Sequence, residues 1–167
     1  MPATRGWCVW LTGRVGAGKT TVATAVLEQL RTRGASVALV DEPEVGAHLD
    51  QGDRLAALVW VISTLADAGV VALVAADEPR RGAREEVRAA VPSFVEVFVD
   101  AGSGSGSGSD DYEEPYAPEL RVPTRGRSPE ASAAQVVSWL EDHGALAVET
   151  TDGPQTQSRR GGSRSGS

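Results

Sequence analysis

The sequence predicts a three-layer α/β domain in which a mostly parallel sheet is flanked by helices. Three observations carry that expectation. Short apolar runs recur along the chain, at residues 7–11, 36–40, 70–75 and 94–99. Between them lie segments with helical spacing of apolar residues, so strands and helices alternate as they do around a parallel sheet with right-handed crossovers. The run at 70–75 is continuously apolar, as expected for a central strand buried on both faces.

Taken in order, the first strand covers 7–11 and ends at Thr12-Gly13. A helix over 20–33 places Val22, Val26, Gln29 and Leu30 on one face, with Gly34 as its stop. The second strand, 36–40, is closed by Asp41-Glu42-Pro43, and a helix over 53–68 buries Leu55, Leu58, Val59, Ile62 and Leu65 before Gly69. After the third strand comes a short charged helix over 82–91, then the fourth strand. At Gly102 the composition changes to a strict Gly-Ser alternation over 102–109, a flexible linker composition that reads as an engineered replacement. An acidic, Pro-rich stretch at 110–119 leads to an extended segment at 120–122. Ser128 as N-cap, Pro129 and Glu130 open a last helix that runs through Val136, Val137 and Leu140 to His143 and stops at Gly144. Residues 145–148 form a candidate final strand. The expected organisation is one domain over 1–148 and a disordered polar tail over 149–167.

A chain of 167 residues, 41% apolar and 23% charged, fits one soluble domain with a real core. Its net charge of −7 advertises no face for nucleic acid, and no apolar run reaches the roughly 20 residues that span a bilayer. The single cysteine, Cys8, excludes an intramolecular disulfide, and its apolar surroundings point to an inert thiol. With no basic and apolar leader at the start, the expected compartment is the cytoplasm.

An acidic protein that binds polyphosphate must build positive potential locally. Of its sixteen basic residues only Lys19 is a lysine, and it stands in the segment Gly13-Arg14-Val15-Gly16-Ala17-Gly18-Lys19-Thr20. This matches G-x-x-x-x-G-K-[ST] in full, between an apolar strand and an amphipathic helix. Glycines let successive N–H groups converge on phosphates, and the following helix adds its positive N-terminus. The nucleotide site is therefore expected at Gly13, Arg14, Gly16, Ala17, Gly18, Lys19, Thr20 and Thr21. Lys19 would reach the outer phosphates of ATP, and Thr20 would offer its hydroxyl to Mg²⁺. The expected fold is thus the P-loop NTPase fold.

Two acidic clusters stand at strand ends, Asp41-Glu42 with Glu44, and Asp77-Glu78. Ligands in open α/β sheets lie at the carboxyl ends of strands. A carboxylate there can hold Mg²⁺ or take the proton of an attacking hydroxyl, although Asp also suits plain turns. Asp41 is the stronger candidate for both roles. Arg80, Arg81, Arg84 and Arg88 follow the third strand, and Arg81 and Arg84 are placed to bind an anionic acceptor; the bland alternative is a solvated, mixed-charge helix. Trp7 and Trp10 read as core residues. His48 and His143 are isolated, with no partner spacing for metal or triad chemistry.

In these segments the chain resembles adenylylsulfate kinases. Trp10-Leu11-Thr12-Gly13 is similar to that family's W-L-T-G, and 65–70 to L-x-A-D-A-G-V. Residues 79–84 stand where the family has S-P-Y-R-x-x-R, so Arg81 and Arg84 match its two arginines. Residues 94–100 resemble F-x-E-V-Y-V-D, 110–115 resemble D-D-P-Y-E-P-P, and Ser128-Pro129-Glu130 opens the final helix in the same way. The resemblance implies transfer of the ATP γ-phosphate, with Mg²⁺, to a hydroxyl of a nucleotide-like or other small anionic acceptor, with a homodimer left open.

Departures cluster on the acceptor side. Where the family has D-G-D-x-x-R, this chain keeps Asp41 and then reads Glu42-Pro43-Glu44-Val45-Gly46. Where it has N-I-R-R, the chain reads Arg54-Leu55-Ala56-Ala57. The change removes charge-assisted contacts worth roughly 1.5–3 kcal/mol each. The family's lid is replaced by 101–109, so phosphate binding should survive better than turnover. The alternative is a nucleotide-binding module with decayed catalysis, acting as a regulatory or partner-binding domain. A P-loop hydrolase would need a water-positioning residue that the sequence does not offer.

Overall fold

The computed structural model describes residues 5–47, 49–103 and 111–146. His48, most of the Gly-Ser linker, Asp110 and the candidate strand beyond Leu146 lie outside the described residues, as does the polar tail.

Five strands form one parallel sheet in the order β2-β3-β1-β4-β5. They are β1 (Cys8–Thr12), β2 (Val37–Asp41), β3 (Val71–Ala75), β4 (Phe94–Asp100) and β5 (Leu120–Pro123). The helices are α1 (Lys19–Thr32), α2 (Glu42–Gly46), α3 (Gln51–Asp67), α4 (Arg81–Ala90) and α5 (Pro129–Asp142). The α/β expectation holds, with boundaries within one or two residues of the sequence reading. The extended segment at 120–122 is the fifth strand, paired to β4.

Strand alternation sends successive side chains to opposite faces, and β1 shows the consequence. Val9 and Leu11 join the cluster built with Val22, Val26 and Leu30 of α1 and Val136, Val137 and Leu140 of α5. Cys8 and Trp10 join the opposite cluster, with Leu58 and Ile62 of α3 and Val87 of α4. Three layers follow directly. Trp10 is fully buried beside Phe94, and Trp7 meets Trp139 edge-on at 6.0 Å, so both tryptophans pack as expected. Burial pushes the Cys8 thiol far above its ordinary range, which leaves it unreactive.

One element departs from the sequence reading. Asp41-Glu42-Pro43 does not simply close β2; Asp41 is the N-cap of α2, and Pro43 sits in its first turn. Proline is tolerated there because the missing N–H would have had no intrahelical partner. The last helix begins as read, with Ser128 Oγ accepting from the Ala131 N–H at 3.2 Å.

Candidate functional site

The strand order reverses direction around β1, whose neighbours are β3 and β4. A crevice forms at the carboxyl end of a sheet at such a switch point, and the 13–20 loop leaves β1 there. Gly16 and Gly18 adopt φ of 81° and 96°, a left-handed conformation that side-chain-bearing residues rarely take. Gly13 is required for another reason: a Cβ would stand 2.6 Å from the Val99 carbonyl oxygen. Gly18 caps α1 without a side-chain hydrogen bond, and the first turn contains no acidic residue. The N-terminal amides of α1 are thus left for a ligand.

Lys19 is 93% buried at the base of this loop, being 7% exposed. Its Nζ donates to the Gly13 carbonyl at 2.9 Å and the Arg14 carbonyl at 3.2 Å, and pairs with Asp77 Oδ1 at 3.0 Å. The ammonium is held by the loop it serves, and Asp77 supplies the counter-charge from the end of β3. Sequence reasoning ranked Asp77 below Asp41; the structure brings Asp77 to the lysine. The Asp41 carboxylate, at the adjacent strand end, makes no hydrogen bond or ion pair with the described residues. Thr20 is exposed, and Thr21 opens on a groove with Thr24, Pro129 and Glu130. Arg14 reaches Glu114 at 4.0 Å and lies 6.0 Å from the Tyr112 ring centre.

Glycines with left-handed φ, an uncapped helix start and a lysine fixed by two loop carbonyls fit a nucleoside triphosphate. For Mg²⁺ the chemistry also fits. No three His, Cys, Asp or Glu side chains gather as a metal cage among the described residues. Mg²⁺ in phosphoryl-transfer sites is typically held by one or two protein oxygens plus phosphates and water, which Thr20 with Asp41 or Asp77 could provide.

The two arginines expected to bind an acceptor are placed differently from each other. Arg81 is half-buried: its N–H donates to Glu113 Oε2 at 2.7 Å, its Nε to the Glu114 carbonyl, and its guanidinium stacks 3.6 Å over Tyr116. Arg84 is 1% exposed and enclosed by protein. It donates to Glu96 Oε1 at 3.0 Å and to the carbonyls of Glu78, Pro79 and Glu113, which uses four of its five N–H groups. That guanidinium orders the 78–79 and 113 backbones; its direct contacts are with the protein itself.

Sequence reasoning missed Glu96, Tyr112 and Thr124. Glu96, in β4, is buried between Arg84 and Arg88, and Arg88 also binds Glu119. A charged residue inside an otherwise apolar strand was the available signal. Tyr112 stacks on Phe98 and shares a 2.9 Å hydrogen bond with the Thr12 hydroxyl; burial pushes its phenol up, against the pull of that bond. Thr124 Oγ1 donates to the Ala17 carbonyl at 3.1 Å. These residues tie the 111–124 segment to the phosphate loop across a sequence separation that no local pattern reveals.

Beside Asp77 lies a cleft of about 150 Å³ between the ends of β2 and β3 and the first turns of α3. Glu42, buried in it, accepts from the Asp77 N–H at 2.7 Å through Oε2. Burial pushes its carboxyl up, partly offset by that hydrogen bond and by Arg54.

Comparison with known proteins resolves what this arrangement belongs to. The model of the Adenylylsulphate kinase family matches residues 5–107. The chain belongs to the adenylylsulfate kinase family. A named adenylyl-sulfate kinase of Synechococcus sp. strain JA-3-3Ab is 34% identical over 85% of this chain and 98% of its own length. Another, from Synechococcus sp. strain JA-2-3B'a(2-13), is 42% identical over 58% of this chain, a match spanning only 61% of that relative. Among solved structures, the Mycobacterium tuberculosis APS kinase in complex with AMPPNP and APS superposes with a TM-score of 0.70. It is 27% identical, covering 82% of this chain and 98% of that one. Adenylylsulfate kinases are phosphotransferases, and the five-stranded parallel sheet here has their P-loop architecture. No helix among the described residues is long and apolar enough to cross a membrane.

Proposed function

We propose that this chain is an ATP-dependent kinase that moves the γ-phosphoryl group to a hydroxyl of a small anionic acceptor. The observation that carries the reading is Lys19, buried at the start of α1 and held by the Gly13 and Arg14 carbonyls and Asp77. Nucleotide binding exchanges some of these three contacts for the outer phosphates, where the ammonium stabilises the charge of phosphoryl transfer. Amides of the loop and of the first turn of α1 bind the remaining phosphate oxygens, apart from that of Ala17, which donates to the Arg14 carbonyl at 3.0 Å. Thr20 and a strand-end carboxylate would hold Mg²⁺, which would supply charge neutralisation at the phosphates. Asp41 takes the proton of the attacking hydroxyl as the new O–P bond forms and the bond to the ADP oxygen breaks.

A second reading, a nucleotide-binding module without turnover, draws support from Arg84, whose N–H groups are mostly committed to protein acceptors. Ligand-dependent melting followed by an ADP-release assay separates the two. MgATP or MgADP at 100 times its dissociation constant should stabilise the fold by about 2.7 kcal/mol. Lys19→Ala should abolish that shift, and Asp41→Asn should keep it while losing transfer. Nucleotide binding with no transfer to any acceptor would favour the second reading; no nucleotide shift at all would sink both.

A further inference from the structure

The acidic segment that follows the linker is strapped to α4 by a row of arginines at helical spacing, Arg81, Arg84 and Arg88. The Arg81 N–H donates to Glu113 Oε2 at 2.7 Å and its Nε to the Glu114 carbonyl at 2.9 Å. Arg84 donates to the Glu113 carbonyl, and Arg88 binds the Glu119 carboxylate. The Glu113 N–H in turn donates to the Pro79 carbonyl at 3.0 Å. Glu113 is thus fixed through its N–H, its carbonyl and its carboxylate, and Tyr112 directly precedes it. From that anchorage Tyr112 reaches the start of the phosphate loop. Its hydroxyl shares a 2.9 Å hydrogen bond with Thr12 Oγ1, and its ring lies 11° from parallel to Phe98. Thr12 and Phe98 are themselves register partners in β1 and β4. The pairing of β1 with β3 ends one residue earlier, at Leu11 and Ala75, so the ladder restrains Thr12 from the β4 side. Thr12 is the last residue before Gly13, whose carbonyl accepts from Lys19 Nζ at 2.9 Å. The Arg14 guanidinium, on the loop itself, lies 6.0 Å from the Tyr112 ring centre.

We infer that Tyr112 is a positioning residue of the phosphate loop: its hydroxyl completes the restraint on Thr12 and keeps the backbone that follows in the geometry that receives a nucleotide's phosphates. The inference rests on the proposed reading for a nucleotide as the ligand. A hydrogen bond inside the protein raises affinity only by raising the fraction of molecules whose loop is already competent. The observed dissociation constant is the intrinsic one divided by that fraction. Burial pushes the phenol up, so it stays protonated and can serve Thr12 as donor or acceptor. The restraint runs from α4 through Glu113 to Tyr112 and Thr12, and makes the donor cradle depend on a segment 100 positions away.

Calorimetric titration of the full chain with MgADP tests this on the wild type, Tyr112→Phe, Thr12→Val, the double variant and Thr12→Ser, with a melt of each free protein. Tyr112→Phe should weaken MgADP binding by about threefold to tenfold, the range that one net hydrogen bond spans. Thr12→Val loses the other hydroxyl and should weaken binding to the same extent. The double variant should bind no more weakly than either single one, because both changes remove one interaction. Thr12→Ser, which keeps a hydroxyl, should recover most of the affinity lost in Thr12→Val. A hydroxyl that serves stability alone predicts lower melts with unchanged MgADP affinity, and that result would overturn the inference while leaving the nucleotide reading standing. Additive losses in the double variant would overturn it too, since the two hydroxyls would then act apart. A wild type that binds no MgADP would sink the inference and the nucleotide reading together. Binding that depends on Tyr112 without transfer to adenylyl sulfate would support the inference and count against the kinase reading.

Discussion

Replacing Arg84 separates a ligand-binding arginine from a structural one. Its guanidinium is 1% exposed and pairs with Glu96, itself 3% exposed, at 3.0 Å. Removing one member of a buried ion pair leaves the other charge without compensation, at a cost of about 3–5 kcal/mol. Arg88 Nη2 still reaches Glu96 Oε2 at 3.3 Å and moderates the loss, which places Arg84→Ala at the lower end of that range. For a domain of this size each kcal/mol lowers Tm by about 2–4 °C, so the variant should melt about 6–12 °C below the parent. The three carbonyls of Glu78, Pro79 and Glu113 lose their donors as well, which couples the loss to the 111–116 segment. Circular dichroism melts of Arg84→Ala, Glu96→Gln and the double variant Arg84→Met with Glu96→Leu measure this. The double variant should recover most of the stability, since apolar pairs of similar volume commonly replace buried ion pairs without loss. If Arg84→Ala melted like the parent and changed only acceptor affinity, the structural assignment would be refuted.

Gly13→Ala should impair both folding and nucleotide binding, because the new methyl meets the Val99 carbonyl oxygen at 2.6 Å and no rotamer can relieve a backbone clash. A melt lowered by about 1–3 kcal/mol and a lost MgADP shift are expected; an unchanged melt and normal binding would contradict it. Glu42 and Glu119 predict opposite pH effects on either side of their ordinary value of 4.5. The raised Glu42 favours the folded protein when protonated, so stability falls as pH climbs above 4.5 through its folded pKa, and Glu42→Gln should flatten that slope in melts at stepped pH. Burial alone would raise Glu119, but hydrogen bonds from Arg88 and the Glu96 amide hold it lowered. Its contribution is therefore present above 4.5 and lost as pH falls below it, and Glu119→Gln should remove that acid-side loss.

The residues of the phosphate loop were legible because their chemistry is local. Two glycines needing left-handed φ, a lysine and a helix start all fall within eight consecutive positions, and a strand pattern precedes them. The layers were legible too, since continuous apolar strands and amphipathic helices reveal which faces must be covered. Proline in D-E-P misled about α2 because the same dipeptides suit a turn and a first helical turn.

The acceptor side was another matter. Arg81 and Arg84 stood three residues apart in a promising segment, yet whether an arginine faces a ligand or a buried glutamate depends on what β4 presents beneath it. Glu96 lies 12 positions from Arg84, and Tyr112 lies 100 positions from the Thr12 it binds. Spacing along a chain carries no record of such pairs. By itself the sequence determined the α/β layering and the donor cradle, both written in short-range backbone and periodicity rules. Only the tertiary structure decided that Asp77 reaches Lys19, that Arg84 is enclosed and that Glu96 is buried between two arginines, because burial and pairing exist only once distant segments meet.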